Sequence, residues 1–197
     1  MNELENFYGR IGSNELEFAE NEVALRLKTN RGYTNDLIEK CKIKLLENVD
    51  CRYSAKRLAV KVSDNITDFG FFKVESKDLA RLLFGCEECY VFCVTLGNKV
   101  DLLLKKLSAS SLAEHYITDA LSSALAESAA DKAEEIIKNN KICTNRFSAG
   151  YGDFPLDRQA DILSLLNARQ YLGITLSKSF LMTPQKTITA VFGVKKD

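Results

Sequence analysis

The residues with the clearest chemical potential lie in Arg146-Phe147-Ser148-Ala149-Gly150-Tyr151-Gly152-Asp153-Phe154-Pro155, where an arginine, two glycines, an aromatic and one of only two prolines meet. Glycines at 150 and 152 permit positive φ and let a ligand or another segment lie against bare backbone, while Pro155 is suited to open a following helix. A guanidinium beside open backbone donors at a helix entrance suits a carboxylate or phosphate, gripped by charge-assisted and bidentate hydrogen bonds. On spacing alone, a Gly-rich connector with a surface arginine is the simpler reading. Other titratable residues carry weaker signals. Cys86-Glu87-Glu88-Cys89 has the spacing of a redox pair or half a zinc site, but the sole histidine is His115, and Cys89 to Cys93 reads as part of a buried strand in which cysteine is a small hydrophobe. His115 reads as a polar helix residue, because no nucleophile is spaced to form a triad with it.

Composition narrows the partners. The 27 basic residues balance the 27 acidic ones, so no global field favours nucleic acid or an anionic membrane. No run approaches the roughly 18 apolar residues of a membrane span, and the acidic start Met1-Asn2-Glu3 does not resemble a secretory signal. The expectation is a cytoplasmic protein with six reduced cysteines in a chain of 197 residues, long enough to bury its own core.

The elements that must position the arginine follow from periodicity. Residues 14–29 are partly helical in pattern and stop at Asn30-Arg31-Gly32; Thr34 or Asn35 can cap a second helix through Glu47. From Cys51 the pattern alternates as a strand to Val62, and Asp68 to Val74 offers another with Gly70 at a bend. Ser76 can cap a short helix ending near Gly85, and Cys89 to Leu96 is an apolar run suited to a strand buried on both faces. After a helix from Lys99 to Leu107, Ser110 or Ser111 can cap a proline- and glycine-free stretch to Asn139, about 42 Å of helix at 1.5 Å per residue. Small residues surround Glu127 on it; either it is a solvated glutamate or a carboxylate held where an ammonium or hydroxyl can reach it. A helix from about Leu156 to Leu172 follows, then strands over Leu176 to Met182 and Thr187 to Val194.

Taken together, these residues resemble a known family. Arg146-x-x-x-Gly150-Tyr151-x-x-x-Pro155, then Gly173-Ile174-x-Leu176-Ser177-x-Ser179-x-x-Met182-x-Pro184 and a Thr-rich last strand, are similar in order and spacing to the S-adenosylmethionine-binding activation domain of cobalamin-dependent methionine synthase. Val94-Thr95-x-Gly97 and Leu125-Ala126-Glu127 extend the resemblance to residues 88–197. By that resemblance Arg146 grips the methionine carboxylate of S-adenosylmethionine, Glu127 faces its ammonium, the backbone around Ser148, Gly150 and Tyr151 lines the ligand, and the last strand contributes backbone at Phe192 and Gly193. Phe147, Ser148 and Ala149 stand where the fused enzymes usually have Pro-Ala-Pro, and nothing like their Asp-Trp-Thr-Pro-Phe-Phe segment is present.

The expected fold is α+β: a mainly antiparallel twisted sheet with helices on one side and around its ends, a long central helix under it, and a small helical N-terminal layer at 1–50 that belongs with an activation-like domain at 51–197. The implied role is reactivation of the cobalamin held by a methionine synthase subunit, remethylated from S-adenosylmethionine bound here with an electron from a donor such as a flavodoxin or ferredoxin. No catalytic side chain and no metal site is expected in this chain. The alternatives are a docking module for a corrinoid protein that binds no S-adenosylmethionine, and a binding domain for another amino-acid-like ligand.

Overall fold

The computed structural model describes residues 5–27 and 35–195. The proposed stop at Asn30-Arg31-Gly32 and the Thr34 cap lie outside them.

A four-stranded antiparallel sheet in the order β1-β2-β6-β9 is the spine of the protein. Its strands are β1 (Asn6–Ile11), β2 (Cys51–Ala59), β6 (Glu88–Thr95) and β9 (Thr187–Val194). Central β6 reads as a continuous apolar run because both of its faces are covered. Tyr90, Phe92 and Val94 join one core, while Cys89, Val91 and Cys93 join the other.

The first core is roofed by the long helix α5 (Leu112–Lys138), whose Ser111 hydroxyl accepts the Glu114 amide and whose end is closed by left-handed Asn139. Alanines at 120, 124, 126, 129, 130 and 133 keep the buried side of α5 thin, so the helix settles close on the sheet. Around it pack α1 (Glu20–Leu27), α2 (Asn35–Leu46) and α4 (Asn98–Ser110). Glu114 ties α5 to α2 by accepting from Lys44 at 2.7 Å and Lys40 at 3.0 Å.

Helices cover the opposite face as well, which differs from the one-sided arrangement expected. There the short sheet β3-β4-β5 (Lys61–Ser63, Ile66–Asp68, Lys73–Glu75), α3 (Lys77–Leu82), α6 (Gln159–Leu165) and α7 (Ala168–Leu172) enclose the second core. The single helix expected from Leu156 to Leu172 is broken, because Asn167 takes a left-handed conformation between α6 and α7. The strand expected over Leu176 to Met182 is a tight hairpin of two-residue strands, β7 (Thr175–Leu176) and β8 (Met182–Thr183). The N-terminal layer also contains a strand that periodicity did not reveal: β1 is an edge strand with only Ile11 buried, so its sequence, Asn-Phe-Tyr-Gly-Arg-Ile, lacks a clear apolar alternation. Among the described residues no helix is long and apolar enough to cross a membrane.

Candidate functional site

Arg146 ends a segment that runs along the outer edge of β9. Cys143 bridges Val194 and Phe147 bridges Val191, with the Phe147 and Val191 amides each donating to the other's carbonyl at 2.9 Å. This pairing carries the guanidinium over to α5, where it donates to Glu127 at 3.0 Å, Glu134 at 3.0 Å, and Asp131. These three carboxylates stand four and three residues apart, which puts them on one stripe of the helix. Burial works against the charge on Arg146, but its hydrogen bonds to Asp131, Glu134 and Glu127 outweigh that and hold it above the ordinary arginine range. Glu134 is shared with Lys138 one turn on.

The chain then turns through Ser148 to Phe154, closed by amides of Gly150 donating to the Phe154 carbonyl at 2.8 Å and of Tyr151 to the Ser148 carbonyl at 3.2 Å. Gly150 has φ +92° and Gly152 φ +53°, and a side chain at 152 would run into the Asp78 carboxylate, so both glycines are dictated by the turn. Asp153 anchors the loop to α3: it accepts the Ser76 hydroxyl, the Lys77 amide at 2.7 Å and the Asp78 amide at 3.2 Å.

Between this loop, α5 and the β9 edge lies a cavity of about 320 Å³. Glu127 and Arg146 border it from the α5 side, and Gln159 and Met182 from the opposite side of the sheet edge. Phe147, Ser148, Ala149 and Tyr151 form the loop wall; Thr187, Ile188 and Thr189 form the strand wall.

Of the residues expected at a site, Arg146, Glu127, Ser148 and Tyr151 meet around this cavity. Gly150 shapes the loop without bordering the space. Phe192 and Gly193 lie away from it. The Phe192 side chain is fully buried in the α5-side core against Tyr90 and Phe92, and the Gly193 backbone is taken by Thr144, whose amide donates to its carbonyl and whose hydroxyl accepts its amide, both at 2.9 Å. Alternation along an antiparallel ladder explains where the open backbone is instead. Even-numbered residues of β9 turn toward β6, as the Lys186 carbonyl does in accepting the Leu96 amide, whereas Val191 and Gly193 turn outward to Phe147 and Thr144. Thr187 and Thr189 share that outward parity beyond the end of the bridging segment, so their N–H and C=O groups face the cavity.

Sequence reasoning missed Asp131, Glu134 and Gln159, and it noted Met182 only as part of the resembling motif, not as a site residue. Asp131 and Glu134 were available from the helical spacing of Glu127, Asp131 and Glu134 against an arginine. Gln159 carries no signal, because a hairpin and the start of α6 bring it to Met182 only in three dimensions. His115 binds the Leu104 carbonyl through Nδ1 at 3.0 Å, joining α5 to α4. Cys86 and Cys89 are buried, and burial pushes both thiols up.

No protein-family model matches the chain, and no curated protein matches it. Among solved structures, the crystal structure of the MetH reactivation domain bound to AdoHcy superposes with a TM-score of 0.73 over 98% of this chain and 79% of that one, at 16% sequence identity. The likeness thus takes in the N-terminal layer, which the sequence resemblance over 88–197 did not reach. The chain has the fold of that reactivation domain.

Proposed function

We propose that this chain binds S-adenosylmethionine and supports the reductive remethylation of cobalamin held by a methionine synthase that acts as a separate subunit. The observation that carries the reading is the opposition of Arg146 and Glu127 at one end of a cavity, on a fold shared with a domain solved with AdoHcy bound. An α-amino acid end presents a carboxylate and an ammonium side by side. A guanidinium and a carboxylate 3.0 Å apart match that pair by exchanging partners: the ligand carboxylate takes the guanidinium, and the ammonium takes Glu127. Asp131 and Glu134 add negative charge beyond what Arg146 neutralises, which favours a ligand that also bears a sulfonium.

S-adenosylmethionine would supply the methyl group, the partner the corrin, and an external donor such as a flavodoxin or ferredoxin the electron. This chain binds and orients: it fixes the amino-acid end and presents the open mouth of the cavity to the partner. Tyr151, which borders that mouth, and Leu181, next to Met182, are 67% and 66% exposed and offer apolar surface for the contact. Such a system belongs in the cytoplasm, where the six free thiols stay reduced.

One feature favours a second reading, a docking module that binds no nucleotide: Arg146 already has three carboxylate partners, so a ligand must displace at least one. Calorimetric titration with S-adenosylmethionine, alone and with a cobalamin-bearing methionine synthase lacking its own activation domain, separates the two. The proposal expects saturable binding and restored turnover of the oxidised synthase. Binding to the synthase without any uptake of S-adenosylmethionine would leave the docking reading.

A further inference from the structure

Gln159 opens α6 and is 5% exposed, yet it borders the cavity. Its Oε1 accepts the Thr189 hydroxyl at 2.7 Å, and its Nε2 donates to Met182 Sδ at 3.4 Å. A thioether has no hydrogen to give, so the nitrogen is the amide atom that must face it, and sulfur is a weak acceptor for a buried N–H. The donor is therefore held but poorly matched. Met182 is the partner able to leave, being unbranched, only half-buried and on a strand of two residues.

The position of this donor says what it meets. Glu127 and Arg146 hold the α5 side of the β9 edge, whereas Gln159 belongs to the opposite side, beside Thr189. A ligand anchored by its amino-acid end must cross the edge to reach Gln159, so only its far end arrives there. Phe147 and Tyr151 wall the way with flat aromatic surface, and the outward backbone of Thr187 and Thr189 offers alternating donors and acceptors.

We infer that Gln159 is a specificity-determining residue of this cavity, whose Nε2 exchanges the Met182 sulfur for a ring nitrogen of the ligand's purine. The inference rests on the cavity being an S-adenosyl amino-acid site and adds the group that tells one heterocycle from another. A ligand lacking that nitrogen leaves a buried donor unmatched, which discriminates more sharply than a change of shape.

The test is calorimetry with S-adenosylhomocysteine and its 1-deaza, 3-deaza and 7-deaza analogues on wild type, Gln159→Glu and Gln159→Met. Glutamate keeps the shape and still accepts from Thr189 but cannot donate when ionised; methionine is neutral, which guards against a misfolded glutamate variant. Wild type is expected to bind one deaza analogue about tenfold more weakly than the parent compound. Both variants should bind the parent about tenfold more weakly and lose that discrimination. Arg146→Ala should weaken all four compounds alike and keep their ratios. Equal discrimination by wild type and the Gln159 variants, or parent affinity unchanged in them, would overturn the role of Gln159 while leaving the site reading intact. Failure of wild type to bind any of the four compounds would overturn the site reading, and this inference with it.

Discussion

Replacing Arg146 with alanine tests the site at its centre, and the structure makes the expected result twofold. The guanidinium serves three carboxylates of α5, of which Glu134 is 12% exposed at its side chain and Asp131 is 69% exposed. The exposed Asp131 contact adds little, since screened surface pairs are worth up to about 1 kcal/mol. The Glu134 contact counts for more, because its loss strands charge that solvent reaches poorly, whereas Glu127, 41% exposed at its side chain, is partly screened. Lys138 still answers Glu134, which limits the damage. A loss of about 1–3 kcal/mol follows, or roughly 3–9 °C in melting temperature for a chain of this size. Ligand binding should suffer separately. Without the fork for the carboxylate, affinity for S-adenosylmethionine should fall roughly ten- to a hundredfold. Arg146→Lys should lie between, restoring charge but not the planar two-point geometry. Differential scanning fluorimetry and calorimetric titration read the two effects independently. Unchanged affinity in a folded Arg146→Ala protein would refute the placement of the site, and unchanged melting would refute the weight given to the carboxylate stripe.

Glu127→Gln, nearly equal in volume, should weaken S-adenosylmethionine binding in titration while the far-ultraviolet circular dichroism stays that of wild type; its loss need not add to that of Arg146→Ala, since both hold one end of the ligand. Gly193→Ala places a Cβ 2.5 Å from Cys86 Sγ and 2.9 Å from Leu83 Cδ2, so urea denaturation should show a destabilisation of about 1–3 kcal/mol, and a midpoint equal to wild type would show that this contact yields easily. The Ser76 hydroxyl, then the Lys77 and Asp78 amides, hold the Asp153 carboxyl below its ordinary value, against a desolvation that raises it. A carboxyl lowered in the folded state contributes stability that is complete above the ordinary aspartate value and lost as pH falls from there through its lower folded value. The melting difference between wild type and Asp153→Asn should accordingly be present at neutral pH and shrink as pH falls below the ordinary aspartate range; a gap that does not change on acidification would mean that the carboxylate charge is not what anchors the loop.

Much of the scaffold was legible because its signals are local. Ser76 and Ser111 were both readable as caps and do accept the amides three residues on, the glycine- and proline-free stretch is the one long helix, and the β-branched alternation from Thr187 to Val194 is the last strand. What failed was set by tertiary contact. The break at Asn167 lies inside an apolar periodicity that looks continuous, and β1 is an edge strand whose fit depends on Cys51–Lys56 across from it. The site divides in the same way. Arg146 and the turn glycines announce themselves by residue type, whereas the β9 backbone left open to the cavity depends on which residues still face outward, and that is decided by where Phe147 and Thr144 have already paired.

The same pairing explains how Arg146 is held in place for the anion recognition proposed for it. A basic side chain on an open loop would reach many conformations, but here the residue after it is tied to Val191 by two backbone hydrogen bonds of 2.9 Å, and Thr144, two residues before it, is tied to Gly193. The backbone on both sides of the guanidinium is therefore fixed to a strand of the main sheet. Its three partners sit on a helix that the same sheet supports from beneath. Cation and carboxylates are thus presented by rigid elements packed on one another, which limits the ordering cost of binding to the ligand itself and the loop tip at Tyr151. The partner exchange required on binding replaces one set of charge-assisted bonds with another, so net affinity depends on the ligand offering both an anion and a cation at once. A carboxylic acid without the ammonium would take the guanidinium and leave Glu127, Asp131 and Glu134 facing its negative charge. On these grounds the proposed site should select zwitterions, and the choice among zwitterions would fall to the far side of the strand, at Gln159.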